Sequence, residues 1–172
     1  MPRTPGELKT PEKALFPLEG IDPDAVLMDR DEIGRWIPHR DVMALLDKVV
    51  WLSEEKDRAV ASMAVRDDSF WVPGHFPGRP MMPGVIQIEA AAQLAAVLFN
   101  LRRGGPQLAA FLRISEAAFR NMVEPGRELI LLCKEVKIGR RRFETDVQGI
   151  VDGAIAFEAR LSGMSLGDVD IH

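Results

Sequence analysis

A histidine and a glutamate are joined in this sequence by a short loop rich in proline and glycine. His75 follows Gly74, and Glu89 follows the pair Pro83-Gly84 within an apolar run. Imidazole titrates near neutral pH and suits a general base, whereas a carboxyl group suits a general acid when burial raises its pKa. Each proline fixes its own φ angle, so the loop has little freedom and can aim the histidine ring. These residue types predict an acid and a base that act on one substrate.

The glutamate lies in the longest apolar segment, which predicts a helix from about Pro83 to Leu101. The pair Pro83-Gly84 suits a helix start, and the basic and glycine residues at 102–105 suit its end. Apolar side chains surround this helix nearly all round, so other elements must wrap it. A carboxylate buried among them needs a partner. Gln93 lies one turn beyond Glu89 on the same face, and we expect it to orient the carboxyl group by a hydrogen bond.

The second half of the chain predicts the antiparallel sheet that wraps this helix. Residues 143–151 and 155–161 alternate apolar and polar side chains, and the pair Asp152-Gly153 between them is a strong hairpin signal. Two further strands are predicted around residues 107–119 and 128–138.

The first part of the chain predicts an arm followed by shorter elements. Prolines concentrate in residues 1–23 and indicate an extended segment. Residues 29–37 predict a short helix, stopped because Pro38 disfavours the helical conformation at Ile37. Residues 44–65 predict two strands about a polar turn. The predicted organisation has three parts, an arm at 1–29, a domain at 30–166 and a tail at 167–172.

Composition and charge exclude several classes of protein. The chain has 172 residues, a net charge of −4 and 28% charged residues, which argues against a nucleic-acid-binding domain. Its single cysteine, Cys133, lies in an apolar run, which indicates a small buried side chain in a reducing compartment. The start of the sequence lacks the apolar core of a signal peptide, and the apolar run from Val85 to Leu101 is too short and too polar for a membrane span. These features predict a cytoplasmic protein.

The segment from His75 to Val85, with Ile88-Glu89-Ala90 and Gln93 after it, resembles the beta-hydroxyacyl-(acyl carrier protein) dehydratases of the FabZ type. The resemblance covers about residues 30–165. It implies the hotdog fold, an α+β architecture in which an antiparallel sheet wraps one long central helix. It also implies an enzyme that removes water from 3-hydroxyacyl thioesters in fatty acid biosynthesis, forming trans-2-enoyl thioesters without a metal or redox cofactor.

The same resemblance assigns catalytic roles to three residues. His75 takes a proton from C2 of the acyl chain, and Glu89 delivers one to the departing C3 hydroxyl group, directly or through water. The backbone N–H of Gly84, at the positive end of the helix, binds the thioester oxygen as negative charge develops on it. In this family the histidine and the glutamate of one site come from different subunits, which implies a homodimer or a trimer of such dimers. His39 has no matching acid or base role, and we interpret it as structural.

An acyl chain also requires an apolar slot, and its carrier requires a docking surface. We expect the substrate to contact six residues in particular, Phe70, Trp71, Met81, Met82, Val85 and Gln93, with Phe111 also lining the slot. The densest positive cluster in the chain is Arg140, Arg141 and Arg142. Guanidinium groups bind carboxylates and phosphates well, so this cluster is predicted to dock the acidic helix and the phosphopantetheine phosphate of acyl carrier protein. The alternative is a solvated turn.

Three other functions remain open at this point. A hotdog thioesterase would hydrolyse the same thioester bond. A FabA-like dehydratase/isomerase carries Cys before the histidine and Asp at the position of Glu89, whereas this chain has Gly74 and Glu89. A non-enzymatic acyl-carrier-binding subunit would keep the fold without turnover, and the intact set of His75, Gly84 and Glu89 disfavours it.

Overall fold

The described chain, residues 8–171 of a computed structural model, contains seven strands, two α-helices and one short 3-10 helix at Asp41–Met43. Residues 1–7 of the predicted arm and His172 of the predicted tail lie outside the described residues. The elements are β1 (Met28–Asp29), α1 (Arg30–Ile33), β2 (Lys48–Leu52), β3 (Arg58–Ala64), α2 (Gly84–Arg103), β4 (Gln107–Phe119), β5 (Glu128–Ile138), β6 (Arg142–Val151) and β7 (Ala154–Asp168).

The seven strands form one antiparallel sheet in the order β1-β2-β3-β5-β6-β7-β4. The predicted hairpin between β6 and β7 is confirmed, because Val151 pairs with Ala154 across Asp152 and Gly153. Both turn residues have positive φ angles, 50° and 78°, as a two-residue turn of this kind requires. In the described chain β4 pairs with β7 alone, so its other edge is open.

The central helix α2 packs against β3, β5, β6 and β7, and its residues from Ala90 to Asn100 are buried except Ala92. This confirms the predicted wrapped helix. It ends at Gly104, whose φ of 77° is the left-handed conformation that glycine adopts without cost and whose N–H caps the last turn. The prediction that this segment is too short and too polar for a membrane span is wrong, because the 20 residues of α2 and their mean hydropathy would suffice; most of the helix is instead buried inside the sheet as a core helix.

The described part of the predicted arm contains no helix or strand before Met28, yet it is packed rather than extended into solvent. Leu8, Phe16, Leu18 and Ile21 are buried in a second apolar cluster, separate from the core around α2. Successive side chains of a strand point to opposite faces of the sheet. The strand residues of the second cluster therefore lie on the outer face, and these are Val50, Val60, Ile130, Leu132 and Ile150.

A buried glutamine fixes this arm to the sheet. Gln148 is 2% exposed; its Oε1 accepts a hydrogen bond from Leu15 N at 2.8 Å and its Nε2 donates to Lys13 O at 2.9 Å. Composition favoured an extended arm because prolines and charges dominate it. The few apolar side chains between the prolines nevertheless match the apolar outer face of the sheet, and burial of each is worth about 1.5–3 kcal/mol.

Two boundaries differ from the sequence prediction. Helix α1 ends at Ile33, where Gly34 follows, and residues 34–37 continue only as hydrogen-bonded turns. Asp29 caps its start by accepting a hydrogen bond from Glu32 N at 2.8 Å. Strand β7 extends to Asp168 through its pairing with β4, so it enters the predicted tail.

Candidate active site

The loop that carries His75 is held by backbone hydrogen bonds along its length. His75 N donates to Trp71 O at 2.9 Å, Met81 N donates to His75 O at 2.8 Å, and Met82 N donates to Val123 O at 2.7 Å. Arg79 and Phe76 exchange two further backbone bonds, which close the tip of the loop. The loop thus delivers His75 in a defined position, as its proline content predicted.

The ring of His75 is oriented by one hydrogen bond and one aromatic contact. Its Nδ1 lies 2.8 Å from Met81 O, and the ring stacks on Phe76 with centroids 4.1 Å apart. A carbonyl oxygen only accepts hydrogen bonds, so we assign the proton to Nδ1. In this neutral tautomer Nε2 carries the lone pair, which is the arrangement a general base needs.

Glu89 lies in the second turn of α2, and its carboxyl group has two polar partners. Gln93 Nε2 donates to Glu89 Oε1 at 3.0 Å, which confirms the hydrogen bond predicted from their spacing. His39 Nε2 lies 3.3 Å from the same oxygen. The side chain of Glu89 is 22% exposed, so it remains accessible to a small molecule.

Gln93 is itself fixed by the chain segment that precedes β2. Its Oε1 accepts a hydrogen bond from Leu45 N at 3.1 Å, and its Nε2 also donates to Met43 O at 2.7 Å. The side chain is buried, with 1% exposed. Because every polar atom of this amide is engaged, Gln93 holds Glu89 in place and does not move with it.

The pKa of Glu89 contradicts one expectation from the sequence. Burial does raise it, but the hydrogen bonds from His39 and Gln93 and the charge of His39 outweigh burial, so the pKa of the protomer's Glu89 is lowered from its usual value. The sequence indicated the apolar surroundings of the carboxyl group and missed the imidazole beside it. The isolated protomer therefore keeps Glu89 ionised at neutral pH.

A cavity of about 80 Å³ opens beside Glu89. Glu89, Ala92, Gln93 and Ala96 line it from one face of α2, so it follows the helix for about 10 Å. The opposite walls come from β4, β6 and β7, and the lining there is Ala109, Ala110, Phe111, Phe143, Leu161, Ser162 and Gly163. Small alanine side chains leave the width of this slot open, and an aliphatic chain is the ligand that such a lining accommodates.

An aromatic pair lies next along the same helical face. Phe99 is one turn beyond Ala96, and its ring stacks on Phe143 with centroids 4.5 Å apart. Phe143 also fills the space over Gly163, where a Cβ would lie 2.5 Å from its Cζ. Phe143 is therefore wedged at the end of the slot away from Glu89.

Gly84 is the first residue of α2, preceded by Pro83 at the N-cap position. The ring of Phe119 lies against it so closely that a Cβ at position 84 would be 2.6 Å from Phe119 Cε1. A residue larger than glycine would therefore have to displace this ring, and glycine also leaves the backbone open to a ligand. The first N–H groups of a helix lack partners within the helix and point away from its start.

The other predicted substrate contacts fall into three groups. Gln93 and Phe111 line the cavity beside Glu89. Met82 and Trp71 belong to the core, with Met81 half-buried beside His75. Phe70 and Val85 are exposed, Val85 at 72%, and Phe70 and Trp71 also line a separate depression with Arg30 and Arg66. Within one protomer His75 is not among the residues lining the Glu89 cavity.

His39 is the residue that sequence reasoning missed. We interpreted it as structural, yet it lines the cavity and contacts Glu89. The available signal was the sequence Pro38-His39-Arg40, in which the proline keeps a titratable histidine and a basic arginine outside any helix.

The fold and site together define a class of protein. An antiparallel sheet wraps one central helix, and residues 37–160 match the family model of the FabA-like domain. Among solved structures, a chain of the dehydratase heterocomplex ApeI:P from Xenorhabdus doucetiae is similar with a TM-score of 0.67 and 19% identity, covering 77% of this chain and 90% of that one. A hypothetical thioesterase with coenzyme A from Streptococcus pneumoniae has a TM-score of 0.54 and 13% identity, covering 72% and 88%. These likenesses confirm the hotdog fold.

Curated relatives narrow the class further. The 3-hydroxyacyl-[acyl-carrier-protein] dehydratase FabZ of Coxiella burnetii strain RSA 493 is 34% identical over 139 residues, which cover 78% of this chain and 95% of that protein. FabZ of Clostridium botulinum is 40% identical over 135 residues, covering 78% and 93%. FabZ of Novosphingobium aromaticivorans is 40% identical over 131 residues, covering 72% and 79%. The chain belongs to the FabZ family.

Proposed function

We propose that this protein is a 3-hydroxyacyl-[acyl-carrier-protein] dehydratase of fatty acid biosynthesis, in which His75 is the base, Glu89 the acid and Gly84 the oxyanion donor. The supporting observation is Glu89, bound by two polar side chains at the mouth of an alanine-lined slot, in a chain of the FabZ family. That combination places a carboxyl group able to transfer a proton beside a space for an acyl chain.

The elimination balances with these groups. The C2–H bond breaks and its proton passes to His75 Nε2. The C3–O bond breaks as Glu89 delivers a proton to that oxygen, directly or through water. A C2–C3 double bond forms and water leaves. The thioester oxygen gains negative charge in the transition state, which an N–H of Gly84 would stabilise by about 3 kcal/mol. No electrons are gained or lost overall, so the reaction as proposed requires no redox cofactor.

A second copy of the chain would complete the site. The open edge of β4 carries exposed apolar side chains at Phe111, Leu112, Ile114 and Phe119. Unpaired strand edges with apolar side chains pair readily with another strand. Pairing two such edges would bring a second protomer beside α2, and its His75 would face the Glu89 cavity of the first. The proposed functional unit is therefore a homodimer with two shared sites.

Carrier docking is proposed at the β5–β6 turn. Arg140, Arg141 and Arg142 are all exposed there, in a chain whose net charge is −4. An acidic carrier would be attracted to this cluster in preference to the rest of the surface. We also propose that the substrate contacts predicted from the sequence are made in this site and that the protein acts in the cytoplasm.

Complementation between two inactive variants tests the shared site. We expect His75→Ala and Glu89→Gln each to lose at least about 100-fold in turnover of a 3-hydroxybutyryl thioester, because each removes one proton-transfer group. A mixture refolded or co-expressed together forms heterodimers that retain one intact site, so about a quarter of the wild-type activity returns.

The outcomes separate the competing functions. Activity that does not return on mixing would place both groups within one protomer and overturn the shared site. Full activity of either single variant would overturn the roles of His75 and Glu89. Mass spectrometry of the product decides the reaction class, because a dehydratase yields the enoyl thioester and a thioesterase yields the free acid.

A further inference from the structure

The carboxyl group of Glu89 has a titratable neighbour, His39, that the roles above leave unused. The two side chains are 29% and 22% exposed, line the same cavity and approach within 3.3 Å. The backbone that carries His39 is fixed by Arg40, whose guanidinium group donates to the carbonyl oxygens of Gly34, Ile37 and His39 itself. His39 therefore meets Glu89 from a rigid segment.

Both partners of the carboxyl group converge on one oxygen. His39 Nε2 and Gln93 Nε2 each lie at Glu89 Oε1, and no other hydrogen bond to Glu89 is formed by the side chains of residues 8–171. Oε2 is left for a reactant in the cavity. An acid held this way presents one oxygen to the substrate while the other stays in contact with the imidazole.

The other ring nitrogen of His39 argues against a merely structural role. Nδ1 is buried and has no hydrogen-bond partner within the described chain. Buried polar atoms are nearly always hydrogen-bonded, and an unpaired one calls for an explanation, of which a catalytic role is one. In this chain, therefore, the polar contact of His39 is directed at Glu89 and not at the surrounding backbone.

Other charged groups near this segment are already compensated. Arg30 on α1 lines the small adjoining cavity with His39 and Gln93, and its guanidinium group is bound to Asp47 at 2.6 Å. Arg40 is engaged with backbone carbonyls, and Asp41 is exposed at the start of the following turn. Among the side chains that line the Glu89 cavity, His39 is thus the one with a nitrogen that can pass a proton to Glu89.

We propose that His39 is a positioning residue that holds the Glu89 carboxyl group and stores the proton which Glu89 delivers to the departing hydroxyl group. This inference rests on the function proposed above. The proton passes from a His39 imidazolium to the carboxylate of Glu89, and Glu89 delivers it to the C3 oxygen as the C3–O bond breaks; water leaves, His39 is neutral, Glu89 is a carboxylate again, and the C2 proton resides on His75. Exchange with solvent restores both rings.

The electrostatics of the site call for such a store. Burial raises the pKa of Glu89, but its partners lower it overall, so the carboxylate alone holds little proton at neutral pH. Because His39 Nε2 and Glu89 Oε1 lie 3.3 Å apart, a proton held by the pair belongs to both groups and not to the carboxyl group alone. The imidazole therefore gives the site a second place for the proton, which a lone carboxyl group lacks.

The substitution His39→Gln tests this role, because glutamine can still donate a hydrogen bond to Glu89 but cannot titrate. We expect kcat/KM for a 3-hydroxybutyryl thioester to fall about 10–100-fold above neutral pH. The loss shrinks as the pH falls into the carboxyl range, since there Glu89 is protonated by itself. The alkaline limb of the pH profile thus moves to lower pH, while the limb that reports His75 stays in place.

Two further variants complete the experiment. Asn100→Ala is the matched control, because Asn100 Nδ2 ties α2 to Trp36 O at 2.6 Å without lining the cavity; it should lower the melting temperature and leave the shape of the profile unchanged. In the Glu89→Gln background, His39→Gln should cause no additional loss, since His39 acts through Glu89.

A profile of His39→Gln that coincides with wild type, or that is lowered by the same factor at every pH, would overturn the inference. If Glu89→Gln is inactive while His39→Gln keeps the wild-type pH profile, the proposed function is supported and the proposed role of His39 is wrong. If Glu89→Gln keeps full activity, the proposed function itself is wrong. A second variant, His39→Asn, guards against a result that reflects only the bulk of glutamine.

Discussion

The ring of Phe119 on β4 lies against the Cα of Gly84 at the start of α2, where a Cβ would be 2.6 Å from Cε1 of the ring. The edge strand and the proposed oxyanion donor are therefore in direct contact. A change at either residue is transmitted to the other, so the edge of the sheet and the chemistry at the helix start are coupled through one van der Waals surface.

Substitution of Gly84 by alanine should expose this coupling. We expect Gly84→Ala to displace the Phe119 ring and to lower stability by about 1–3 kcal/mol, with a loss of turnover as the helix start moves. Thermal unfolding and steady-state kinetics measure the two effects. Gly105→Ala is the control, because a Cβ there meets nothing within 4 Å. Phe119→Ala combined with Gly84→Ala should recover turnover, and failure to do so would show that the ring is not the obstacle.

Phe143 should limit the length of the acyl chain. It is wedged between Phe99 and Gly163 at the far end of the slot, so Phe143→Leu is expected to favour longer substrates. Each additional methylene that becomes buried contributes about 0.8 kcal/mol, or about fourfold in kcat/KM. A series of 3-hydroxyacyl thioesters measures the shift.

The control for that series removes similar packing elsewhere. Phe16→Leu alters a buried ring on the outer face of the sheet, away from the slot, and should leave the preference unchanged. An identical preference in Phe143→Leu and wild type would mean that the chain ends before Phe143 or leaves the slot by another route.

Asp47 should stabilise the fold in a pH-dependent way. Burial raises its pKa, but the hydrogen bonds from Ala64 N–H, Arg66 and Arg30 outweigh burial and lower it overall. A lowered folded-state pKa gives stability that is present above the ordinary carboxyl pKa and is lost as the pH falls through the folded value. Asp47→Asn is therefore expected to cost about 1–3 kcal/mol at neutral pH.

Denaturant unfolding at several pH values checks this. The difference in the free energy of unfolding between Asp47→Asn and wild type should shrink in acid. Asp67→Asn, a substitution of an exposed acid, should not differ from wild type at any of these pH values. If the difference in the free energy of unfolding were the same at all pH values, the effect of Asp47 would come from its shape and not from its charge.

Charge reversal at Arg140, Arg141 and Arg142 tests the carrier surface. We expect the triple substitution to glutamate to raise KM for carrier-bound substrate by about 10-fold or more, because it repels an acidic partner. Small thioester substrates should be unaffected. Reversal of Lys9, Arg35 and Lys56, three exposed cations on other segments, is the control for net charge. An equal rise in KM for both triples would point to general electrostatics instead of a docking surface.

Much of this fold was predictable because its signals are local. The Asp152-Gly153 turn, the alternation around it and the glycine after Arg103 each act within a few residues, and each predicted element is present, although β7 continues to Asp168. The hydrogen bond from Gln93 to Glu89 follows from helical spacing alone. The contact of His39 with Glu89 spans 50 positions of the sequence, and no local rule reports it.

The packed arm escaped prediction for a related reason. Its apolar residues are sparse, and sparse apolar residues favour an extended segment unless a matching surface is known. That surface, the outer face of β2, β3, β5 and β6, exists only once the sheet has formed. The lowered pKa of Glu89 likewise depends on a neighbour brought in by the tertiary fold.

The arm that crosses the outer face of the sheet also restricts how copies of this chain can assemble. Stacking two sheets back to back would first require Phe16 and Leu18 to leave their places against Val60 and Leu132. Joining two β4 edges leaves those side chains undisturbed. Since β1 at the opposite border is two residues long, it offers little backbone for another strand, and growth by strand pairing ends with a closed pair instead of a continuing ribbon.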